Sequence, residues 1–240
     1  MPRSKTLSDQ DVLAVAHALI HERGPEALTF ESLARACGLS AATLVQRFKS
    51  KAGLKQSTLL HAWDRLDEKT ARLAATVPKS AEGAIEFLVA LSKDYGGIEA
   101  YAEGLLVLRE DLRDPVLRAR GAAWKDRLSR TLEECFSGVA HVPPGIGLLI
   151  ASQWQGSLLW WSFDPQGDID RFVDDSLRRF VAAVVATGCG RDANHGNDRR
   201  QPEPYGCAPH GVPPMSRLAD AIGLLARCRI PELTIRKPAP

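Results

Sequence analysis

No GxSxG, HExxH, GxxxxGK[ST] or GxGxxG pattern occurs in the 240 residues. The usual short signatures of serine hydrolases, zinc peptidases, P-loop phosphate binding and dinucleotide binding are therefore missing, and the chain does not read as an enzyme. An excess of either charge is also missing: 31 Lys and Arg face 29 Asp and Glu. No run of strand-like alternation has useful length, which argues against a β architecture. The five cysteines are odd in number and widely spread, unlike a disulfide framework, and fit reduced cytoplasmic thiols. The basic start is interrupted by Asp9 and Asp11, with no small-residue cleavage site after it, so it does not read as a secretory signal.

Charge is absent from one long stretch, Val142 to Phe163, "VPPGIGLLIASQWQGSLLWWSF". Two prolines, three glycines, Gln153, Gln155 and three serines argue for a helix buried in protein rather than in a membrane.

Helical periodicity dominates what remains. Ser8 and Asp11 form a capping-box pattern before a helix with Leu13, Ala16, Leu19 and Ile20 on one face, ended by Gly24-Pro25. Thr29 caps a second helix, Gly38 supplies a turn, and Ser40 caps a third ending near Phe48. A long fourth helix starts at Ser50 or Lys51 and runs toward Pro78. Ile85, Leu88, Val89 and Ser92 form one later stripe, and Ile98, Tyr101, Leu105 and Leu108 another. Asp114-Pro115 opens a helix carrying Leu117, Trp124, Leu128, Leu132 and Cys135. The last strong helix begins near Asp168 and has a wide apolar stripe. Beyond Thr187 the composition turns rich in Gly, Pro, Asn and Arg, which predicts a disordered tail over 188–240 with one possible weak helix.

Charge is distributed unevenly: residues 1–55 carry eight Lys and Arg against five Asp and Glu, and residues 56–187 carry fifteen against nineteen. A polyanionic partner would meet the N-terminal segment. There, helices two and three have the makings of a helix-turn-helix. Ala34 is small, Gly38 turns, and Leu33, Leu39, Leu44 and Phe48 point inward. The rest of the third helix, with Ala41, Ala42, Val45 and Gln46, is left for a DNA groove.

"ALTFESLARACGLSAATLVQRFKSKAGL", residues 27–54, resembles the N-terminal domain of TetR-family transcriptional regulators. The match falls on Leu28, Thr29, Leu33, Ala34, Ala36, Gly38, Leu39, Ser40, Thr43, Leu44, Phe48, Lys51 and Leu54. Two positions depart from the family pattern, Val45 for its common Tyr and Arg47 for its common His. The resemblance implies an all-α protein: a three-helix DNA-binding domain over 1–52, then a helical ligand-binding and dimerisation domain over 53–187. It implies a homodimeric repressor, released from a palindromic operator in double-stranded DNA by a small-molecule effector. No cofactor is expected.

On those positions, Gln46 is the candidate base reader, since its amide can pair bidentately with adenine, and Val45 suits a thymine methyl. Arg47, Lys51, Thr43, Ser40 and Thr29 are expected at phosphates. Arg3 and Lys5 form a short arm able to reach a neighbouring groove or the backbone. Tyr95, Tyr101, Trp124, Gln153, Trp154 and Trp160 are candidate lining for a largely apolar ligand pocket. Leu158, Trp161, Phe172, Leu177, Phe180, Val181 and Val184 are candidates for the dimer face. A helical dimeric interaction or ligand-binding protein without a DNA role is the alternative. A zinc-like set, Cys189, His195, Cys207 and His210, lies in the irregular tail and is discounted on its spacing.

Overall fold

In a computed structural model of the chain, residues 7–93 and 96–189 are described. The expected tail lies outside them, apart from residues 188 and 189. Arg3, Lys5 and Tyr95 also lie outside, as do His195, Cys207 and His210 of the zinc-like set. The described residues contain nine α-helices and one short 3-10 turn, and no strand.

Capping residues set the boundaries of the first four helices. Helix α1 (Asp9–Arg23) starts on Ser8, whose Oγ accepts from the Asp11 N–H while the Asp11 carboxylate accepts from the Ser8 N–H. It ends at Gly24, at φ 76°, followed by a 3-10 turn over Pro25–Ala27. Helix α2 (Phe30–Cys37) is capped by Thr29 through a reciprocal pair of bonds with Ser32 and closed by Gly38 in the left-handed conformation. Helix α3 (Ala41–Phe48) starts on Ser40, and α4 (Lys51–Thr76) on Ser50.

Val12, Ala16, Ile20, Leu28, Leu33, Leu44, Leu54 and Leu59 join these elements in one buried cluster. The inner face of α1 is centred on Val12, Ala16 and Ile20, with the predicted Leu13 and Leu19 at its half-buried edges.

The body comprises α5 (Ala81–Ser92), α6 (Ile98–Arg113), α7 (Pro115–Cys135), α8 (Ile146–Phe163) and α9 (Ile169–Cys189). Helices α7, α8 and α9 pack in succession, α5 lies against α9, and α4 packs on α7. Phe87, Leu88, Trp124, Leu128, Leu132, Ile150, Trp154, Leu158, Val173 and Leu177 anchor its core. Trp63, midway along α4, packs against both clusters and joins the N-terminal helices to the body.

Polar side chains fasten these helices together. Arg120 and Arg127 of α7 both pair with Asp67 of α4. Arg178 of α9 grips Glu82 of α5. Helix α8 has no side-chain cap of its own; instead Glu133 of α7 accepts from the Gly147 N–H at 2.7 Å. No helix among the described residues is long and apolar enough to cross a membrane.

Candidate nucleic-acid interface

Two short helices joined at Gly38 hold the candidate reading surface. Leu44 is fully buried on the inner side of α3, and Phe48 is half-buried beside it. That orientation turns Ala42, Val45, Gln46 and Lys49 outward as one stripe at i, i+3, i+4 and i+7. Val45 is 42% exposed, an unusual position for a large apolar side chain with no neighbour to cover it. Ala41 and Thr43 are half-buried at the flanks. At the start of the helix the Ser40 and Thr43 hydroxyls are bonded to each other at 2.8 Å.

The turn from α3 to α4 is tightly built. Lys49 takes a positive φ of 67° and donates its N–H to the Val45 carbonyl at 2.8 Å. A Cβ at Gly53 would come within 2.6 Å of the Phe48 carbonyl oxygen, so glycine permits the close approach of α4 to the end of α3.

The expected phosphate contacts divide into two sets. Ser40, Thr43 and Lys51 border the outward stripe; Lys51 is exposed and pairs loosely with Glu26 at 3.5 Å. Thr29 and Arg47 have other work. The Thr29 hydroxyl is engaged in capping α2. Arg47 turns inward, donating to the Leu7 carbonyl at 2.9 Å and to Asp9 at 3.3 Å, with its side chain only 21% exposed. Lys49 belongs with the outward stripe and was missed as a site residue; its spacing of four from Val45 is the signal that marks it. Gly53 was missed as well, because nothing in a sequence shows where one backbone crosses another.

The residues expected in a ligand pocket scatter. Tyr101, Trp124 and Trp154 are buried in the body core. The Trp124 indole donates to Thr70 at 3.0 Å, and the Trp154 indole to Ser92 at 2.8 Å. Gln153 bridges α8 to Ser176 of α9. Trp160 faces outward and is 68% exposed. Two concavities lie elsewhere, at the join of head and body. One of about 300 Å³ is lined by Lys55, Gln56, Leu59, Glu110, Arg113 and Asp114, and one of about 180 Å³ lies between Gly24 and Glu103. Both are rich in charge.

The candidate dimer residues divide too. Leu158, Trp161 and Leu177 lie in the chain's own core. Phe180, Val181 and Val184 are half-buried against it, and Phe172 is exposed. The open apolar face of α8 is instead made by Leu148, Leu149, Leu159, Trp160 and Phe163, displaced by about one residue from the expected Leu158 and Trp161.

Comparison with known proteins agrees with this architecture. Residues 12–57 match the family model described as bacterial regulatory proteins, tetR family. No curated relative matches the chain. Among solved structures, a transcriptional regulator from Rhodococcus sp. Rha1 superimposes with a TM-score of 0.62 at 15% identity, over 75% of this chain and 97% of that one. A regulator from Saccharomonospora viridis, solved in complex with choline, gives 0.58 at 19% identity, over 71% and 93%. The TetR family transcriptional regulator PfmR from Thermus thermophilus gives 0.51 at 23% identity, over 73% and 97%. Residues 12–57, with their capped helix pair and outward α3 stripe, thus resemble the tetR-family bacterial regulatory proteins, and the described residues that follow form an all-helical body.

Proposed function

We propose that the chain is a homodimeric repressor that binds a palindromic operator in double-stranded DNA and leaves it when a small, mostly apolar ligand binds. Residues 1–52 form the reading head and residues 53–187 the ligand-binding and dimerisation body. The observation that carries the DNA reading is the α3 stripe: Ala42, Val45 and Gln46 are presented outward from a helix too short to need that face for packing. Gln46 reads adenine and Val45 a thymine methyl, while Ser40, Thr43, Lys49 and Lys51 hold phosphates.

Dimerisation is supported by the uncovered apolar face of α8 and by exposed Phe172 on α9. Ligand response is supported by the choline held by the S. viridis protein and the imidazole held by the multidrug-binding protein EbrR, both of similar fold. An apolar effector would seat among Tyr101, Trp124 and Trp154 by opening their packing, since the concavities at the join of head and body are rich in charge. It switches the protein only through unequal affinity for the DNA-competent and released conformers.

Selection of duplexes from a randomised library tests the reading. A recovered palindrome with half-sites about one helical turn apart, or a multiple of it, is the expected result. Gln46→Ala should then change the preferred base at one position per half-site. Failure to enrich any duplex would leave a helical ligand-binding dimer with no DNA role. For the effector arm, added ligand should change Trp emission and weaken duplex binding together.

A further inference from the structure

Where the N-terminal helices meet the body, the end of α1 and the turn after it face α6 across the concavity of about 180 Å³. Gly24 closes the helix with its N–H, which donates to the Ile20 carbonyl at 2.8 Å. That is the last bond of α1, so the carbonyls of His21, Glu22 and Arg23 have no partner within the helix and leave its end partly negative. Opposite lies Glu103 of α6. Its Oε2 is buried without a hydrogen-bond partner, and a Cβ on Gly24 would come within 3.0 Å of it. Buried carboxylate oxygens are normally paired, because a dry and unbonded one costs free energy. Glu110, the other α6 carboxylate at this concavity, is taken up by Lys55 at 2.6 Å. Glu103 is the acid that remains open to a ligand. The rest of the lining narrows the choice. Arg23 and Arg109 bring two guanidinium groups, and Arg109 meets Glu110 only at 3.8 Å, too far for a hydrogen bond. Pro25 and the exposed Leu106 add apolar surface. One open acid, two guanidinium groups and an apolar wall complement a molecule with an ammonium, a carboxylate and a short hydrocarbon chain. A volume below the roughly 300 Å³ at which drug-sized sites begin keeps that molecule small.

We propose that this concavity binds a free α-amino acid with an apolar side chain. The ammonium donates to Glu103 Oε2 beside the end of α1, Arg109 and Arg23 hold the carboxylate, and the side chain lies along Leu106 and Pro25. The site is separate from the aromatic core in which an apolar effector would seat, and it does not depend on DNA binding. Once bound, the amino acid ties α1 of the N-terminal cluster to α6 of the body.

The experiment titrates the full chain, without DNA, with L-leucine and with two fragments of it. Isopentylamine lacks the carboxylate, and 4-methylpentanoate lacks the ammonium. Leucine should bind once per chain with a Kd below about 10 mM, and each fragment at least about tenfold more weakly than leucine. Glu103→Gln keeps the shape of the side chain and removes its charge. It should weaken leucine by at least about tenfold and abolish the preference for leucine over 4-methylpentanoate. Arg23→Gln with Arg109→Gln should weaken leucine as well, but abolish its preference over isopentylamine. Loss of a merely structural contact would not move the two preferences separately. The arginine variant changes exposed side chains and is readable even if Glu103→Gln fails to fold. No binding of leucine up to about 10 mM would overturn the proposal. So would isopentylamine binding as tightly as leucine. Leucine binding unchanged by either variant would also overturn it, since the ligand would then sit elsewhere in the molecule.

Discussion

Asp111 is the most consequential buried carboxyl among the described residues, 7% exposed and accepting from the Trp63 indole at 3.2 Å. Burial pushes its pKa up to about 6, with the carboxylates of Asp114 and Glu110 acting in the same direction and the Trp63 bond opposing them. Since the folded pKa lies above the ordinary 3.8, the stabilisation from this group is complete below about pH 4 and lost as pH rises through about 6. Asp111→Asn keeps an acceptor for the indole and removes the buried charge. In urea melts it should gain on the order of 2 kcal/mol at pH 7.5 and nothing at pH 4. His17 behaves in the opposite sense. Burial first, then His21, His61 and Arg65, hold its pKa down to about 4. Its contribution is present above about pH 6.5 and lost as pH falls through about 4, so His17→Gln should raise the melting temperature relative to wild type at pH 4.5 and not at pH 7.5. Between those limits the two trends oppose each other, and the wild-type pH profile should be flatter than that of either variant.

Helix ends and helix faces were unequally legible in the sequence. Ser8, Thr29, Ser40 and Asp114 announce their helices because capping is local chemistry within three residues. Rotation about the helix axis depends on partners far along the chain. Leu105 and Leu108 of α6, expected inside, are exposed, while Tyr101 and Asp111 face inward. The inner side of α6 is set by polar links, Trp63 to Asp111 and Lys55 to Glu110, which an apolar pattern cannot register. Helix α8 carries no charge and its apolar residues lie on every side, so periodicity sets no azimuth, and the crossing with α7 is located by Gly147. A Cβ there would collide with the Ser129 carbonyl oxygen and come within 2.8 Å of the Glu133 nitrogen. Gly147→Ala should therefore cost about 1–3 kcal/mol in chemical denaturation through overpacking. Gly104→Ala, at a site of α6 with open space around it, should add about 0.5–1 kcal/mol through helix propensity. Equal effects of the two substitutions would contradict the close α7–α8 approach. The reading helix shows the same division. Its outward residues follow from spacing alone, but the inward turn of Arg47 follows from a backbone carbonyl 40 residues away.

At the scale of the molecule, two apolar surfaces are left open among the described residues, and one of them suits a symmetric partner. Leu105, Leu108, Leu112 and Val116 line α6 and the start of α7, next to the charged concavities at the head–body join. Leu148, Leu149, Leu159, Trp160 and Phe163 cover one side of an uncharged helix, with Trp160 and Phe163 in ring contact at 5.9 Å. A two-fold interface places the same patch against itself, which like charges oppose and an uncharged helix face permits. Aromatic side chains at its centre supply the largest buried area per residue. The wild-type chain should therefore scatter light as a dimer at micromolar concentration, and introducing a charge at Leu159 should convert it to a monomer, with helical content retained by circular dichroism. Leu112→Glu, at a site 57% exposed on α6, should leave the dimer intact. Because operator binding by the proposed dimer would link two heads, Leu159→Glu should also weaken binding to a two-half-site duplex by at least about 100-fold, while a single half-site is bound about as before. Dissociation by Leu112→Glu instead of Leu159→Glu would move the interface to α6 and leave the aromatic face of α8 without its proposed partner.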